Sequence, residues 1–231
     1  MITEAVILAG GRGTRLRSVV KNMPKPMALV GKYPFLHYVI EYLSKQGIRK
    51  IFLSVYYLKN QIIDYFADNY LGCEIAYIEE HEPLGTGGAV VNSLASINGN
   101  EFWLLNGDTY FPVNLVQQEA FHFANKAQIT LALKYINDAS RYGLVELNAQ
   151  NVLVSFLEKG SGNSGYINGG VYLLTKNSFA GLLMGKNYSL ELLLSQYIKQ
   201  YKVMGFIASQ PFIDIGIPED YYKAASIIAS N

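Results

Sequence analysis

The chain has 231 residues, half of them hydrophobic, and its 19 Lys and Arg against 18 Asp and Glu leave a net charge of +1. This balance excludes a general electrostatic attraction to nucleic acid or to an anionic membrane, and no apolar run approaches the roughly 20 residues of a membrane span. With a single cysteine, Cys73, and no signal-peptide pattern, we expect one cytoplasmic domain without an intrachain disulfide.

The first predicted element is a buried strand that runs into a glycine-rich turn, in the sequence AVILAGGRGTRLR of residues 5–17. Its apolar, partly β-branched residues are typical of a parallel strand that delivers a loop to the carboxyl edge of a sheet. Gly10, Gly11 and Gly13 let successive backbone N–H groups point into one space, where they can bind phosphate oxygens. Arg15 adds a guanidinium that can donate two hydrogen bonds to a phosphate.

The spacing of this turn matches neither the dinucleotide fingerprint nor the P-loop. The third glycine of G-x-G-x-x-G is missing, and no Gly-Lys-Ser/Thr follows. Taken alone, the stretch is explained equally well by a tight turn with an exposed arginine. Motifs elsewhere in the sequence are needed to distinguish a phosphate-binding loop from a simple turn.

A lysine between two prolines follows the turn, in Met23-Pro24-Lys25-Pro26-Met27. Pro24 fixes its own φ, and Pro26 disfavours the helical region for the residue before it, so we expect Lys25 to be extended. A side chain on such a restricted backbone is held in place and can serve a binding site. The alternative is a solvated lysine in a surface turn.

Helical and strand patterns alternate through the next part of the chain. Residues 34–47 and 60–67 show apolar side chains at helical spacing, whereas 51–56 and 74–79 have the pattern of strands. This alternation predicts an α/β fold with a doubly wound, Rossmann-like sheet that is mixed but mostly parallel and has helices on both faces.

Towards the C terminus, the sequence predicts another helix over residues 189–201. Ser189 suits the N-cap position, because its hydroxyl can accept a hydrogen bond from a free backbone N–H of the first turn. Leu192, Leu193 and Tyr197 are expected on the buried face of this helix. A short strand and a last helix complete the predicted elements.

The sequence LAGGRGTRLR, followed by Pro-Lys-Pro at 24–26, resembles the sugar-1-phosphate nucleotidylyltransferases, which make nucleotide-activated sugars. The resemblance continues at intervals, in EPLGTGGA at 82–89, INGG at 167–170 and FIDIGIPED at 212–220. It implies an enzyme in which an oxygen of a sugar 1-phosphate attacks the α-phosphorus of a nucleoside triphosphate and releases pyrophosphate. It also implies these two substrates as partners and Mg²⁺ as the cofactor. The resemblance does not fix the oligomeric state and is compatible with a homo-oligomer.

The resemblance implies that the two glycine turns bind the nucleotide. Arg15 and Lys25 are the implied catalytic residues, Arg15 for the departing pyrophosphate and Lys25 for the α-phosphate. The implied nucleotide-binding residues are Leu8, Ala9, Gly10, Gly11, Gly13, Thr14, Arg15, Glu80, Gly85, Thr86 and Asn106.

Glu80 occupies the position that reads the nucleobase in this family, five residues before Gly85 in the second glycine turn. Guanine presents N1–H and N2–H together, and one carboxylate can accept both, whereas a neutral amide suits the edge of uracil or thymine. Glu80 therefore favours GTP as the nucleotide. The alternative is that the acid-rich run 79–82 is a solvated loop.

The resemblance gives Asp108 and Asp214 as ligands of Mg²⁺. Asp108 follows a predicted central strand, at the edge of the sheet that also carries the phosphate loop, where a metal ligand is needed. The alternative for Asp108 is a simple turn, which is the usual role of an isolated Gly-Asp pair.

The resemblance also divides the chain into a nucleotide-binding half, about 1–110, and a sugar-binding half, about 111–231. The implied sugar-phosphate site consists of Gly143, Glu158, Lys159, Asn168 and Gly169. Glu158 and Asn168 would bind hydroxyls, Lys159 would neutralise the acceptor phosphate, and Gly143 would admit the sugar close to the backbone. The run GSGNSG at 160–165 is expected to be either a lid or a plain connector.

Within this family the chain resembles most the D-glycero-α-D-manno-heptose 1-phosphate guanylyltransferases, which supply GDP-heptose for bacterial surface glycans. The resemblance rests on Ser-Val-Val at 18–20 combined with PKPMA, EPLGTGGA, RYG, INGGVYLL and FIDIGIPEDYY. The alternatives are an enzyme for mannose 1-phosphate, one that uses UTP with another sugar 1-phosphate, and a catalytically silent regulatory paralogue that binds nucleotide sugars. A nicotinamide oxidoreductase would share the fold class but not these motifs.

Overall fold

The computed structural model describes residues 1–16, 18–157 and 164–229. Its strands are β1 (Glu4–Leu8), β2 (Leu29–Val30), β3 (Tyr33–Pro34), β4 (Lys50–Val55), β5 (Asn69–Tyr70), β6 (Cys73–Glu79), β7 (Glu101–Asn106), β8 (Thr109–Tyr110), β9 (Ile129–Ile136), β10 (Leu144–Leu147), β11 (Leu153–Leu157), β12 (Gly165–Thr175), β13 (Val203–Ala208) and β14 (Ile213–Asp214). Its α-helices are α1 (Phe35–Lys45), α2 (Lys59–Phe66), α3 (Gly85–Ser93), α4 (Leu115–Ala124), α5 (Leu190–Tyr197) and α6 (Pro218–Ala229). Among the described residues, no helix is long and apolar enough to cross a membrane.

Ten of the strands form one mixed sheet. Four of them, β7, β1, β4 and β6, are adjacent and parallel. The long strand β12 runs antiparallel to β7 and connects this parallel region to β9, β10, β11 and β13. Seven of the ten strands run in the direction of β1, and β5, β11 and β12 run against it. The predicted mixed, mostly parallel sheet is therefore confirmed.

The helices cover both faces of the sheet. Side chains alternate between the two faces along each strand, so a strand of apolar residues needs a packed layer on either side. Ala5 and Ile7 of β1 belong to a buried cluster that also contains apolar residues of α1, α2, α4 and α6. Val6, between them, belongs to a second cluster, which contains residues of α3 and α5. This two-sided packing confirms the doubly wound α/β prediction.

The helix predicted over 189–201 is shorter in the structure, and its buried face includes Leu193 and Tyr197 as predicted but not Leu192. Ser189 is its N-cap, as predicted, and its hydroxyl accepts a hydrogen bond from the Leu192 N–H at 3.3 Å. The buried-face prediction is wrong for Leu192, whose side chain is 67% exposed. The buried residues follow the i, i+3, i+4, i+7 spacing from Leu190, and position 192 lies on the opposite side of the helix.

The sheet changes its strand order at β1, and this sets the place of the functional site. Leu8, the last residue of β1, pairs with Ser54 of β4 on one side and with Asn106 of β7 on the other. Ligands of open α/β sheets bind beyond the carboxyl ends of the strands at such a switch point. The glycine turn, Ser54 and Asn106 therefore lie at the expected ligand-binding edge.

Candidate active site

The glycine turn after β1 is held by backbone contacts on both sides. The Ala9 N–H donates to the Ser54 carbonyl at 2.8 Å, and the Leu16 N–H donates to the Gly13 carbonyl at 3.0 Å. Gly13 has a φ of +57°, and a Cβ added there would lie 2.9 Å from the Cβ of Lys25. Glycine is therefore required at this position both by the backbone conformation and by the close approach of Lys25.

A pocket of about 170 Å³ lies between this turn and the end of β7. Arg15 is exposed in a single 3₁₀ turn, Thr14–Leu16, which the buried side chain of Leu16 anchors to the core. The pocket brings together predicted residues of the phosphate loop and of the metal site, and its lining consists of Leu8, Gly11, Gly13, Thr14, Arg15, Lys25, Pro26, Asp108 and Gly216. A neighbouring pocket of about 200 Å³ shares Gly13 and Lys25.

The backbone of Lys25 differs from the prediction, although its side chain is held as expected. The extended conformation is wrong, because Lys25 begins a 3₁₀ turn, Lys25–Met27, in which Met27 N–H donates to the Pro24 carbonyl. Proline is tolerated in the first turn of a helix, where its missing N–H has no partner to lose. The side chain is only 8% exposed, which excludes the alternative of a solvated lysine.

Lys25 forms an ion-pair cluster with the two predicted metal ligands. Its Nζ lies 2.6 Å from Oδ2 of Asp108 and 3.4 Å from Oδ1 of Asp214. The two aspartates meet because β8 and β14 pair, with Asp214 opposite Thr109, and because Ile215 N–H donates to the Asp108 carbonyl at 3.0 Å. Residues that are far apart in sequence therefore form one charged group beside the phosphate loop.

The electrostatics of this cluster favour a bound cation. Burial raises the pKa of Asp214, the neighbouring carboxylate of Asp108 raises it further, and the ammonium of Lys25 opposes both effects. One lysine thus compensates two carboxylates only in part. In the part of the chain that the structure describes, no group of three or more His, Cys, Asp or Glu side chains could hold a metal ion. Two carboxylates without a third side chain suit Mg²⁺, which usually takes its other ligands from water and substrate phosphates.

Glu80 is buried at the end of β6, and its carboxylate is fixed by two donors. The Ser54 hydroxyl donates to Oε1 at 2.8 Å, and the Leu84 N–H donates to Oε2 at 3.2 Å. Gly10 lies next to it, because a Cβ added to Gly10 would be 3.5 Å from Oε1. The side chain of Glu80 is 8% exposed, so the alternative of a solvated acidic loop fails for this residue, although Glu82 is exposed.

The second glycine turn begins α3, as predicted, and packs against the segment before α5. Gly85 has a φ of +69°, and an added Cβ would lie 2.6 Å from the Tyr188 carbonyl oxygen. The Thr86 hydroxyl accepts a hydrogen bond from the Leu190 N–H at 3.1 Å. Both residues therefore have a packing role in the structure, and their contact with nucleotide stays a prediction.

The INGG segment of β12 forms an irregularity where the strand passes from β10 to β7. The Asn168 amide donates to the Tyr172 hydroxyl at 2.7 Å, and its oxygen accepts from the Gly170 N–H at 3.1 Å. Gly170 has a φ of +73° and packs on the Asn106 side chain, while a Cβ on Gly169 would overlap the Phe111 ring. Asn168 thus shapes this bulge, and its binding of a sugar hydroxyl stays a prediction.

The segment Arg141-Tyr142-Gly143 is tied to the start of α6. Arg141 Nη2 lies 2.6 Å from Oδ2 of Asp220, a buried residue in the first turn of that helix. Burial raises the pKa of Tyr142 to about 12, with a further contribution from Asp214. An added Cβ on Gly143 would lie 2.9 Å from the Leu157 carbonyl oxygen, which gives this glycine a packing reason of its own.

Two predicted sugar-phosphate residues, Glu158 and Lys159, lie outside the described residues, as do positions 160–163 of the glycine-rich run. Their predicted roles stay predictions.

Sequence reasoning missed three residues that support the site. Ser54 has a detectable signal, since it is the one polar residue in the apolar strand IFLSV. Asp220 looks like an ordinary acid of a first helical turn, so its ion pair with Arg141 leaves no local signal. Tyr172, which is buried and bonded to Asn168, is indistinguishable in sequence from the other apolar positions of β12.

Comparison with known proteins identifies the family. A model of the family described as "Nucleotidyl transferase" matches residues 4–231. The chain is 46% identical over 219 residues to D-glycero-alpha-D-manno-heptose 1-phosphate guanylyltransferase of Campylobacter jejuni, covering 95% of this chain and 97% of that protein. It is 45% identical over 222 residues to the protein of the same name from Aneurinibacillus thermoaerophilus, covering 96% of each.

Solved structures agree with the sequence relatives. The fold is similar to the crystal structure of HddC from Yersinia pseudotuberculosis, with a TM-score of 0.86, 36% identity and coverage of 97% of this chain and 99% of that one. A second structure of HddC, complexed with GMP-PN, matches with a TM-score of 0.85 and 37% identity over the same shares of the two chains. The fold and the family model agree, and the chain therefore belongs to the nucleotidyl transferase family.

Proposed function

We propose that the protein transfers the guanylyl group of GTP to D-glycero-α-D-manno-heptose 1-phosphate, giving GDP-heptose and pyrophosphate. The observation that carries this proposal is the pocket in which the phosphate loop meets Lys25 and Asp108. The choice of substrates is supported by two relatives of that name at 45–46% identity and by the HddC complex with GMP-PN.

The nucleotide is bound by the loop edge of the parallel strands. Backbone N–H groups of the glycine turn, together with Arg15, bind the β- and γ-phosphates, which leave as pyrophosphate. The Glu80 carboxylate, buried beside Gly10, accepts N1–H and N2–H of guanine. A uracil or thymine ring presents an acceptor where guanine has a second donor, so the fixed carboxylate rejects it.

Asp108 and Asp214 would hold Mg²⁺. Their fit is supported by geometry, because the two carboxylates converge on the one ammonium of Lys25, at 2.6 Å from Asp108 and 3.4 Å from Asp214. When bound, the ion would supply positive charge to the phosphates of both substrates. The ammonium of Lys25, which lies beside both carboxylates, would bind the α-phosphate.

The reaction needs no general base, because the attacking oxygen of the sugar phosphate is already ionised. A bond forms between that oxygen and the α-phosphorus, while the bond from the α-phosphorus to the bridging oxygen of the β-phosphate breaks. Catalysis then consists of alignment and charge neutralisation by Arg15 and Lys25 around the metal site. None of these residues is replaced in this chain, which argues against a silent regulatory paralogue.

The test measures pyrophosphate release from GTP and Mg²⁺ with heptose 1-phosphate, mannose 1-phosphate and glucose 1-phosphate as parallel acceptors. We expect the highest kcat/KM for heptose 1-phosphate and some turnover of mannose 1-phosphate, since one additional hydroxymethylene contributes only about 1–3 kcal/mol of discrimination. A higher kcat/KM for mannose 1-phosphate would overturn the choice of heptose. No release with any acceptor would overturn the enzymatic proposal.

A further inference from the structure

Ser54 is a buried residue of β4 that contacts both parts of the proposed nucleotide site. Its backbone carbonyl accepts the Ala9 N–H at 2.8 Å and so holds the start of the glycine turn. Its hydroxyl donates to Oε1 of Glu80 at 2.8 Å. The side chain is 1% exposed, so water does not substitute for the hydroxyl in this contact.

The two hydrogen bonds on Glu80 leave part of its acceptor capacity free. Each carboxylate oxygen has two lone pairs, and the protein occupies one on Oε1 through Ser54 and one on Oε2 through Leu84. One acceptor site per oxygen remains, and the two sites share the plane of the carboxylate. Two parallel N–H donors on one edge of a planar ring match this arrangement.

The orientation of that plane depends on Ser54. The torsion that rotates a glutamate carboxylate is soft, and the Leu84 N–H alone fixes only one of the two oxygens. The hydroxyl of Ser54 fixes the other, so the plane of the carboxylate is held in one orientation. A base with two adjacent donors benefits from this fixed plane more than a base with one donor, because a rotated carboxylate can still satisfy a single N–H.

We propose that Ser54 is a positioning residue for base selection, and that through Glu80 it favours purine nucleotides that carry donors at both N1 and the exocyclic N2. The inference rests on the proposed function and extends it, because it assigns selectivity to a residue that need not touch the nucleotide. Its specific consequence concerns GTP against ITP, which keeps N1–H and lacks the 2-amino group.

The experiment compares kcat/KM for GTP and for ITP, at saturating heptose 1-phosphate, in the wild type, Ser54→Ala, Ser54→Cys and Glu80→Gln. Ser93→Ala is the matched control, since Ser93 is also a fully buried serine with one hydrogen bond, to the Ala89 carbonyl within α3. We expect Ser54→Ala to lower the GTP-to-ITP ratio about tenfold through KM for GTP, with kcat nearly unchanged. Ser54→Cys, a weaker donor of similar size, should give an intermediate ratio, and Ser93→Ala the wild-type ratio.

The outcomes separate this inference from the proposal on which it rests. If Glu80→Gln lowers the GTP-to-ITP ratio of kcat/KM and both Ser54 variants keep the wild-type ratio, the role proposed for Ser54 is wrong, and the assignment of Glu80 to the guanine base stands. If Glu80→Gln keeps the wild-type ratio, the base assignment and the role of Ser54 are both wrong. If Ser54→Ala lowers kcat equally for both nucleotides without changing their ratio, Ser54 is only structural and the inference is wrong.

Discussion

The two halves of the molecule hold their site residues in different ways. In residues 1–110, the site lies on loops that follow parallel strands, and its charged side chains are fixed by short contacts such as Lys25 with Asp108 and Ser54 with Glu80. In residues 111–231, β12 is irregular between Asn168 and Tyr172, and its polar groups satisfy one another. The first half therefore contributes most of a pre-organised charged cluster, to which Asp214 of the second half also belongs, whereas the β12 segment presents polar groups that are bonded to one another.

The largest expected effect tests the charged site where the halves meet. Asp108→Asn or Asp214→Asn removes one of two carboxylates that would hold Mg²⁺, so kcat should fall about a thousandfold or more while the circular dichroism spectrum is retained. Asp138→Asn is the control, because Asp138 is an exposed aspartate in a loop. A fully active Asp214→Asn enzyme would show that this residue is not a metal ligand.

A smaller effect is expected within the second half, at the ion pair between Arg141 and the first turn of α6. Asp220→Asn weakens the ion pair that holds Arg141, which lies in a segment assigned by resemblance to the acceptor site. We expect KM for the sugar 1-phosphate to rise about tenfold, because a charge-assisted hydrogen bond is lost, with KM for GTP unchanged. Glu219→Gln, in the same helical turn but exposed, should leave both constants unchanged. Equal increases in both KM values would contradict a role confined to the acceptor.

The raised pKa of Asp214 predicts a pH dependence of activity with a definite sign. Burial and Asp108 raise the pKa of Asp214, so protons compete with Mg²⁺ as the pH falls through that raised value. At a subsaturating Mg²⁺ concentration, we expect activity to fall towards acid pH, and additional Mg²⁺ should move this fall to lower pH. If the pH at which activity falls is the same at every Mg²⁺ concentration, the fall does not come from competition between protons and Mg²⁺ at Asp214.

The same raised pKa gives folding stability a pH dependence opposite to that of activity. The folded protein holds this proton more tightly than the unfolded chain, so without metal the contribution of Asp214 to stability falls as the pH rises through its folded pKa. Bound Mg²⁺ should offset that loss, because a ligand of the folded state raises the melting temperature.

The smallest effect compares two glycines of the phosphate loop. Gly13→Ala places a side chain at a φ of +57° and against Lys25, so the melting temperature should fall by about 3–6 °C, from a strain of about 1–2 kcal/mol. Gly11→Ala is the matched control, since an added Cβ has no atom within 4 Å and the φ of Gly11 is not in the left-handed region. Equal melting temperatures for the two variants would contradict a specific need for glycine at position 13.

The sequence was most informative where the backbone itself builds the site. The glycine turn, the alternation of strands and helices, and the position of Asp108 after a central strand follow from local patterns, and the fold agrees with them, whereas Asp214 was singled out only by the family resemblance. Contacts between distant segments were not predictable from local patterns, because Arg141 pairs with Asp220 of α6 and Ser54 with Glu80, which follows β6. The backbone of Lys25 was predicted wrongly because the local rule for a residue before proline was overridden by a 3₁₀ turn.

The base preference tests the central claim most directly. The measurement is the rate of pyrophosphate release by the wild-type protein with Mg²⁺ and saturating heptose 1-phosphate, using GTP, UTP and dTTP in turn. A pair of charge-assisted hydrogen bonds from guanine to Glu80 is worth on the order of 3 kcal/mol, so kcat/KM should be about a hundredfold higher for GTP. Glu80→Gln should lower the rate with GTP and reduce this preference. Equal use of UTP and GTP by the wild type would contradict the assignment of this protein as a guanylyltransferase.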